Sequence, residues 1–340
     1  MSKKLTMHMG GHILGHYING NHSTILLADG TKIKETGHWV DIGDGHKKWK
    51  ADDQDHFTYD FPENFDLKIT DYCDGGCAYC HENSTVNGKH GDLSKLDHII
   101  ETIHAGTEIA IGGGNALAHP GLVEFLTKLK EHRIVANMTV NQRHINAYYS
   151  LLKQLVDDKL VHGIGVSLVD SKDADSIEKA VSLGNNVVFH VIAGIFTEED
   201  WGNVDWKGKK MLVLGYKDLR RGHSLFVKDR TGIYKNLNWM ADNLKEMSKV
   251  CKCLSFDCLG IDQLDVQRTL GMSDEEYYTR FQGSDTDVHD AEGNITCATM
   301  YVDLPNMKVA RMSTAALDKR FDFTGNESIS ELLKTTTQGW

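Results

Sequence analysis

Three cysteines fall within eight residues, in the stretch Thr70-Asp-Tyr-Cys73-Asp-Gly-Gly-Cys77-Ala-Tyr-Cys80-His81. The spacing is C-x3-C-x2-C, in a loop that also carries two glycines. Three thiolates on one short loop can hold three corners of an iron–sulfur cube and leave the fourth iron open to an outside chelator. Two other chemistries use the same residues. With His81 the cysteines make a Cys3His zinc set, and Cys77-Ala-Tyr-Cys80-His81 matches the C-x-x-C-H pattern of c-type haem attachment. Haem attachment requires export, and the stretch MSKKLTMHMGGHILGH has no continuous apolar h-region. A strand–loop–helix setting is also unlike a zinc knuckle.

Four further cysteines, Cys251, Cys253, Cys258 and Cys297, bring the total to an odd seven. They are either buried thiols or ligands of an auxiliary cluster. An odd count without an export signal points to a reducing, cytoplasmic compartment rather than to a disulfide framework.

The chain has 340 residues, with 37 basic against 48 acidic side chains and a net charge of −11. That balance weighs against a primary grip on a nucleic-acid backbone, which needs clustered cations. No apolar run approaches the ~20 residues of a membrane helix. The length fits one large domain or two modest ones.

The elements that position the cysteines follow from periodicity. Residues 1–62 are rich in Gly, His, Asp and Lys, with short alternating stretches at Ser23–Leu27 and Thr31–Lys34 around the hairpin signal Asp29-Gly30. From about Phe65, short Val- and Ile-rich runs alternate with amphipathic segments. The runs are Phe65–Thr70, Glu108–Ile111, Ile134–Val140, Gly163–Val169, Val187–Ala193 and Lys210–Gly215, which read as strands buried on both faces. Helical spacing appears in Pro120–His132, Arg143–Asp157 and Ser171–Leu183, the last with Ser171 as its cap. Strand–helix alternation reads as βαβ units and a parallel sheet. Six units are visible, short of the eight of a closed barrel. The expected fold is therefore α/β, a partial (βα)6 TIM-type barrel over residues 63–230. A β-rich extension (1–62) precedes it, and a C-terminal α+β cap (231–340) packs on the sheet. The cap holds a helix over Ile233–Val250 and strands at Thr299–Leu304 and Lys308–Met312. The cysteine loop follows the first barrel strand, where parallel α/β folds carry their chemistry.

At this point the chain resembles the radical S-adenosylmethionine (SAM) enzymes. The C-x3-C-x-aromatic-C loop is that family's cluster loop, with Tyr79 at the aromatic position, and the resemblance extends over six βα units to Gly222. It implies that Cys73, Cys77 and Cys80 bind a 4Fe–4S cluster whose open iron chelates SAM. One-electron reduction would then yield a 5′-deoxyadenosyl radical that abstracts hydrogen from a substrate. Gly112, Gly113 and Gly114 stand where the family has Gly-Gly-Glu-Pro and would let the backbone approach the SAM amino group. Asn115 replaces the usual acid. Asn141 and Ser167 are candidates for the SAM carboxylate or ribose. His190 and Tyr216-Lys217 are candidates for substrate contact. No catalytic acid or base is assigned.

The span Lys207–Lys235 holds nine Lys or Arg and two acids. It suggests an anionic substrate such as a small metabolite or nucleotide, or else a solvated rim. An external electron donor such as flavodoxin or ferredoxin is implied. A maturase acting on a peptide side chain and a zinc-stabilised binding protein are the alternatives.

Overall fold

The computed structural model describes residues 13–28, 30–52, 57–184, 186–281, 288–289, 295–296 and 298–337. Four strands open the chain as an antiparallel meander: β1 (Ile13–Asn19), β2 (His22–Leu27), β3 (Lys32–Gly43) and β4 (His46–Ala51). This is the expected β-rich extension. The hairpin between β2 and β3 closes as anticipated, with Gly30 in the left-handed region (φ +90°), while Asp29 lies outside the described residues.

All six expected core strands are present: β5 (Asn64–Thr70), β6 (Glu108–Gly113), β7 (Val135–Asn141), β8 (Gly163–Ser167), β9 (Val187–Ile192) and β10 (Lys210–Leu214). Each pairs with the next in parallel. A seventh parallel strand, β11 (Cys253–Phe256), extends the sheet beyond β10. After the two-residue strands β12 (Val288–His289) and β13 (Ile295–Thr296) come β14 (Thr299–Asp303), β15 (Lys308–Ala310) and β16 (Phe321–Asp322). β14 pairs in parallel with the free edge of β5, and β15 and β16 continue antiparallel. The result is a mixed ten-stranded α/β sheet in the order β11-β10-β9-β8-β7-β6-β5-β14-β15-β16. The two C-terminal strands, expected in a layer packed on the sheet, instead enter it. Met300, Tyr301, Val302 and Asp303 are all buried, as befits a strand covered on both faces. The helix Ile329–Thr337 supplies the covering layer through Ile329, Leu332 and Leu333.

The six core strands were expected to be buried on both faces, yet β6 to β10 alternate. Ile109, Ile111, Met138, Val140, Ile164, Val166, Phe189, Val191, Met211 and Val213 are fully buried in the main core, which the helices Leu122–Glu131, Ile145–Asp157 and Ala174–Ser182 complete. The opposite face is half-buried and carries Gly112, Asn137, Thr139, Asn141, Gly165, Ser167 and His190. The same face also carries Ala110, Val188, Ile192, Leu212 and Leu214, so its glycines and polar residues cluster on β7 and β8 and at the ends of β6 and β9. The helix Ala174–Ser182 is capped by Asp173, whose carboxylate accepts from Ser176 N at 3.2 Å. Ser171, the expected cap, instead donates to Asp200 Oδ1 at 2.7 Å.

The N-terminal meander lies against the N-terminal ends of the core strands. Glu63, just before β5, is 1 % exposed and accepts from His22 Nε2 and Thr24 Oγ1, both at 2.8 Å, and pairs with Lys34 Nζ at 2.5 Å. Lys32 reaches Glu108 at the start of β6 (2.8 Å), and Asn186 donates to Ala28 O (3.0 Å). Gly15 meets Gly106 so closely that a Cβ on it would stand 2.6 Å from the Gly106 Cα.

Candidate active site

The cysteine loop leaves β5 at Thr70 and is pinched at its neck. Cys73 N donates to Thr85 O (2.9 Å), and Thr85 N donates to Asp71 O (3.1 Å). Residues 73–84 therefore form a closed excursion at the C-terminal end of the strand. Gly76 adopts φ +62°, a conformation that favours glycine. Cys80 N turns back onto Cys77 O at 3.3 Å. The three cysteines are free thiols and half-buried. Burial pushes the Cys73 thiol up, the Gly75 N–H opposes that shift, and negative charge on Cys77 and Cys80 adds to it. Three free thiols on one short closed loop are a donor set that suits an iron–sulfur cluster.

Protein N–H groups already point at these sulfurs. Gly75 N donates to Cys73 Sγ at 3.3 Å, and Asn141 Nδ2 donates to Cys77 Sγ at 3.4 Å. Arg143 donates to Gly75 O and brings a guanidinium nitrogen within 4.0 Å of Cys77 Sγ. Asn141 is held at the end of β7 by accepting from Arg143 N (3.0 Å). Tyr79 is half-buried, and burial followed by the neighbouring Cys77 charge raises its phenol well above the usual range.

The glycine run ends β6 directly against this loop. Gly113 has φ +107°, and a Cβ there would stand 2.6 Å from Thr70 O. A Cβ on Gly114 would stand 2.0 Å from Tyr72 O. Gly114 N and Asn115 N donate to Thr70 O (2.8 Å) and Tyr72 O (2.6 Å). These two glycines therefore admit the loop's own backbone. Gly112 alone faces free space, its Cβ position touching Thr139 at 4.0 Å and nothing nearer. Asn115 is 2 % exposed, donates to Asp74 Oδ1 at 3.3 Å, and leaves its own Oδ1 without a partner.

Ser167 and His190 stand side by side with Asn141 in register across β7, β8 and β9. They make a row that starts at the cysteine loop and runs away from it. The His190 ring lies over Gly165, where a Cβ would come within 2.2 Å of its Cε1. Its solvent exposure is intermediate, but it is packed within the fold, and that burial pushes it down to about 4, so the ring is neutral at pH 7. Beyond β10, Tyr216 OH donates to Gly222 O (2.7 Å), and Lys217 Nζ donates to Ser313 Oγ (3.2 Å).

The basic span divides between the two ends of the sheet. Lys207, Lys209 and Lys210 lie at the N-terminal end of β10. At the other end, Arg220 donates to His81 O (2.6 Å) and Arg221 to Ser84 O (2.7 Å). Both arginines therefore brace the cysteine loop.

One feature of the site had no local sequence signal. Glu82, two residues after Cys80, pairs with Lys68 Nζ (2.8 Å), His81 Nε2 (3.3 Å) and Arg220 (3.6 Å), and accepts from Tyr301 OH (3.1 Å). Lys68, 3 % exposed on β5, also reaches Asp71 (2.6 Å) and Asp303 on β14 (3.5 Å). Burial works against the Glu82 carboxylate, but His81 and Lys68 hold it far below the usual range. The cysteine loop is in this way tied to β5, β14 and the segment after β10.

The second cysteine group is spread out. Cys253 begins β11 and Cys258 follows its end, so the strand separates them. Cys251 is buried, and burial, with Cys253 next, pushes its thiol up to about 11. Cys297 lies outside the described residues.

Residues 67–204 match the family model described as the radical SAM superfamily. Among solved structures, SuiB from Streptococcus suis bound to the precursor peptide SuiA is similar, with a TM-score of 0.53 at 13 % identity. That likeness covers 83 % of this chain and 66 % of SuiB, just under two thirds of its length. SuiB bound to S-adenosylmethionine gives a TM-score of 0.47 at 12 % identity, covering 75 % of this chain and 61 % of that one. No curated protein matches the chain by sequence. No described helix is long and apolar enough to cross a membrane.

Proposed function

We propose that this chain is a radical SAM enzyme that binds one 4Fe–4S cluster on Cys73, Cys77 and Cys80 and abstracts hydrogen from a substrate held over the polar face of the sheet. The observation that carries this reading is the presence of three free thiols on one neck-closed loop at the C-terminal end of β5. When bound, the cluster and SAM together supply one-electron cleavage to methionine and a 5′-deoxyadenosyl radical. The electron comes from an external donor of the flavodoxin or ferredoxin kind. In this reading Gly112 gives the SAM amino acid room at the strand end, and Asn115 offers its free carbonyl oxygen to the amino group. Ser167 lies along the row toward the ribose, and His190 marks the substrate end. Tyr79 packs beside Cys77. The sheet from β5 to β10 curves as a partial (βα)6 barrel, which excludes water and quenchers from the radical.

Since Arg220 and Arg221 brace the loop, an anionic group on a small metabolite or nucleotide would meet Lys217 and the exposed part of Arg220. A second reading is a maturase that modifies a peptide side chain. It is favoured by the fold shared with SuiB, whose structure contains the precursor peptide SuiA. The spread of Cys251, Cys253 and Cys258 along β11 favours a single cluster over an auxiliary one.

Anaerobic reconstitution tests the reading. The chain should take up about four irons and absorb broadly near ~400 nm, and Cys80→Ala should lose both. With reductant, SAM should yield 5′-deoxyadenosine. Deuterium from a labelled small anion or peptide should appear in that product and so decide between the two substrate classes. A chain that takes up no iron, or binds SAM without cleaving it, overturns the proposal.

A further inference from the structure

The basic span that follows β10 continues past Arg221 into a surface that the proposed chemistry leaves unused. Residues 217–235 hold six Lys or Arg and two acids, in a chain of net charge −11. Both acids are engaged. Asp218 pairs with His223 (2.8 Å), and Asp229 caps the helix Arg230–Val250 by accepting from Gly232 N (3.1 Å). Lys228, Arg230 and Lys235 are exposed, and no ion pair engages them among the described residues. We infer that this face, centred on Val227 and Tyr234 and flanked by these three cations, docks an acidic electron-carrier protein that bears a flavin. The inference rests on the radical reading, since such a carrier would reduce the cluster on the adjoining loop.

The face is apolar at its centre and open to solvent. Val227 is 69 % exposed and Tyr234 45 %. The Phe226 and Tyr234 rings meet edge-on at 5.9 Å, and the Arg230 guanidinium lies 5.6 Å and 5.5 Å from their centroids. Exposed apolar groups clustered with aromatic and Arg side chains mark a contact surface rather than a solvated rim. Hydrogen bonds fix this face beside the cysteines. Arg220 holds the carbonyl of His81, next to Cys80, and Arg221 holds that of Ser84. The helix Arg221–Lys228 rises from these contacts, so Val227 stands about 9 Å along its axis. Val86, 61 % exposed, lies two residues past Ser84.

Charge selects the partner and its approach. The chain as a whole repels an acidic protein, and a local excess of cations turns that protein toward one face. The apolar, aromatic centre suits the ring edge of a flavin, whose reduced form passes one electron without a bond being made or broken. Electron-transfer contacts of this kind are small, so the affinity should be modest and strongly dependent on salt.

Calorimetric titration of oxidised, acidic flavodoxin into the full-length, iron-free chain tests this inference without any cluster. The expected result is one flavodoxin per chain, with affinity falling at least tenfold between about 50 mM and 300 mM salt. Joint Lys228→Glu and Arg230→Glu substitution should weaken binding at least tenfold, and Val227→Asp severalfold, in chains that remain folded by circular dichroism. Lys153→Glu, the same kind of charge reversal on the helix Ile145–Asp157, should bind as the wild type does. In the iron-loaded chain the face variants should slow reduction by flavodoxin hydroquinone and leave reduction by dithionite unchanged. Affinity that ignores salt and the face variants overturns the inference, as does an equal loss in Lys153→Glu. So does a ferredoxin that binds with this pattern where flavodoxin does not bind. If flavodoxin binds as described to a chain that never takes up iron, only the radical reading fails.

Discussion

Two buried glutamates sit at opposite ends of β5, each with one lysine and one histidine. Glu63 joins His22 and Lys34 below the strand, and Glu82 joins His81 and Lys68 above it. Their surroundings differ. Among the described residues Lys34 pairs with one carboxylate, Glu63, and burial pulls its pKa down. Lys68 is also penalised by burial, but Glu82, Asp303 and Asp71 together pull it up. The lower network joins one meander to one strand, so it acts as a staple. The upper network draws on β5, the cysteine loop, Arg220 and β14, so the geometry around the thiols depends on residues from most of the chain. Fold stability and site geometry are thus handled at different ends of the same strand.

This contrast can be broken by substitution. Glu63→Ala leaves Lys34 and His22 buried without their carboxylate and should cost about 3–5 kcal/mol in urea unfolding. The folded fraction should still load iron at the wild-type ratio. Glu82→Ala should instead reduce iron retention severalfold in protein that remains folded by circular dichroism. Equal loss of iron in both variants would erase the distinction. Next in size is Gly114→Ala, which must push the loop away from Tyr72 O and should cost about 1–3 kcal/mol with lower iron retention.

Acid sharpens the comparison. Burial alone would raise Glu63, but its partners hold it down to about 2, against an ordinary value of 4.5. A depressed carboxylate contributes stability that is present above 4.5 and lost as pH falls toward 2. The urea midpoint should therefore fall between those values, and Glu63→Gln should flatten the fall while lowering stability at neutral pH. The smallest expected effect belongs to Asn141→Ala, which removes one N–H from Cys77 Sγ. A loaded cluster should then show a lower midpoint potential in a spectroscopic redox titration, since hydrogen bonds to sulfur favour the reduced form. An unchanged potential would mean that Asn141 serves the loop backbone only.

The cysteine triplet and the six core strands were legible because their signals are local: three thiols in one loop, and runs of Val and Ile between helices. β11 escaped notice because its four residues, Cys253-Leu-Ser-Phe256, are too few to show a period. The C-terminal strands were seen, but their destination was not, since pairing of β14 with β5 leaves no mark in either segment. The same holds for Glu82, whose partners range from its immediate neighbour His81 to Tyr301. Ion pairs across such distances carry no pattern. The span Lys207–Lys235 reads as one cluster of charge, but three-dimensional placement divides it between the two ends of β10 and spends Arg220 and Arg221 on the carbonyls of His81 and Ser84.

The position of β14 has a consequence for biosynthesis. β5 is made early, and β6 covers one of its edges within a few dozen residues. Its other edge waits for β14, more than two hundred residues later. At roughly 5–20 residues per second, that interval lasts on the order of 10–50 s. Throughout it the nascent chain carries an unpaired strand edge, a template for wrong pairing, with Lys68 lacking Asp303 and the cysteine loop lacking Tyr301. The contacts that tie the cysteine loop to β14 are therefore completed only once β14 itself has been made.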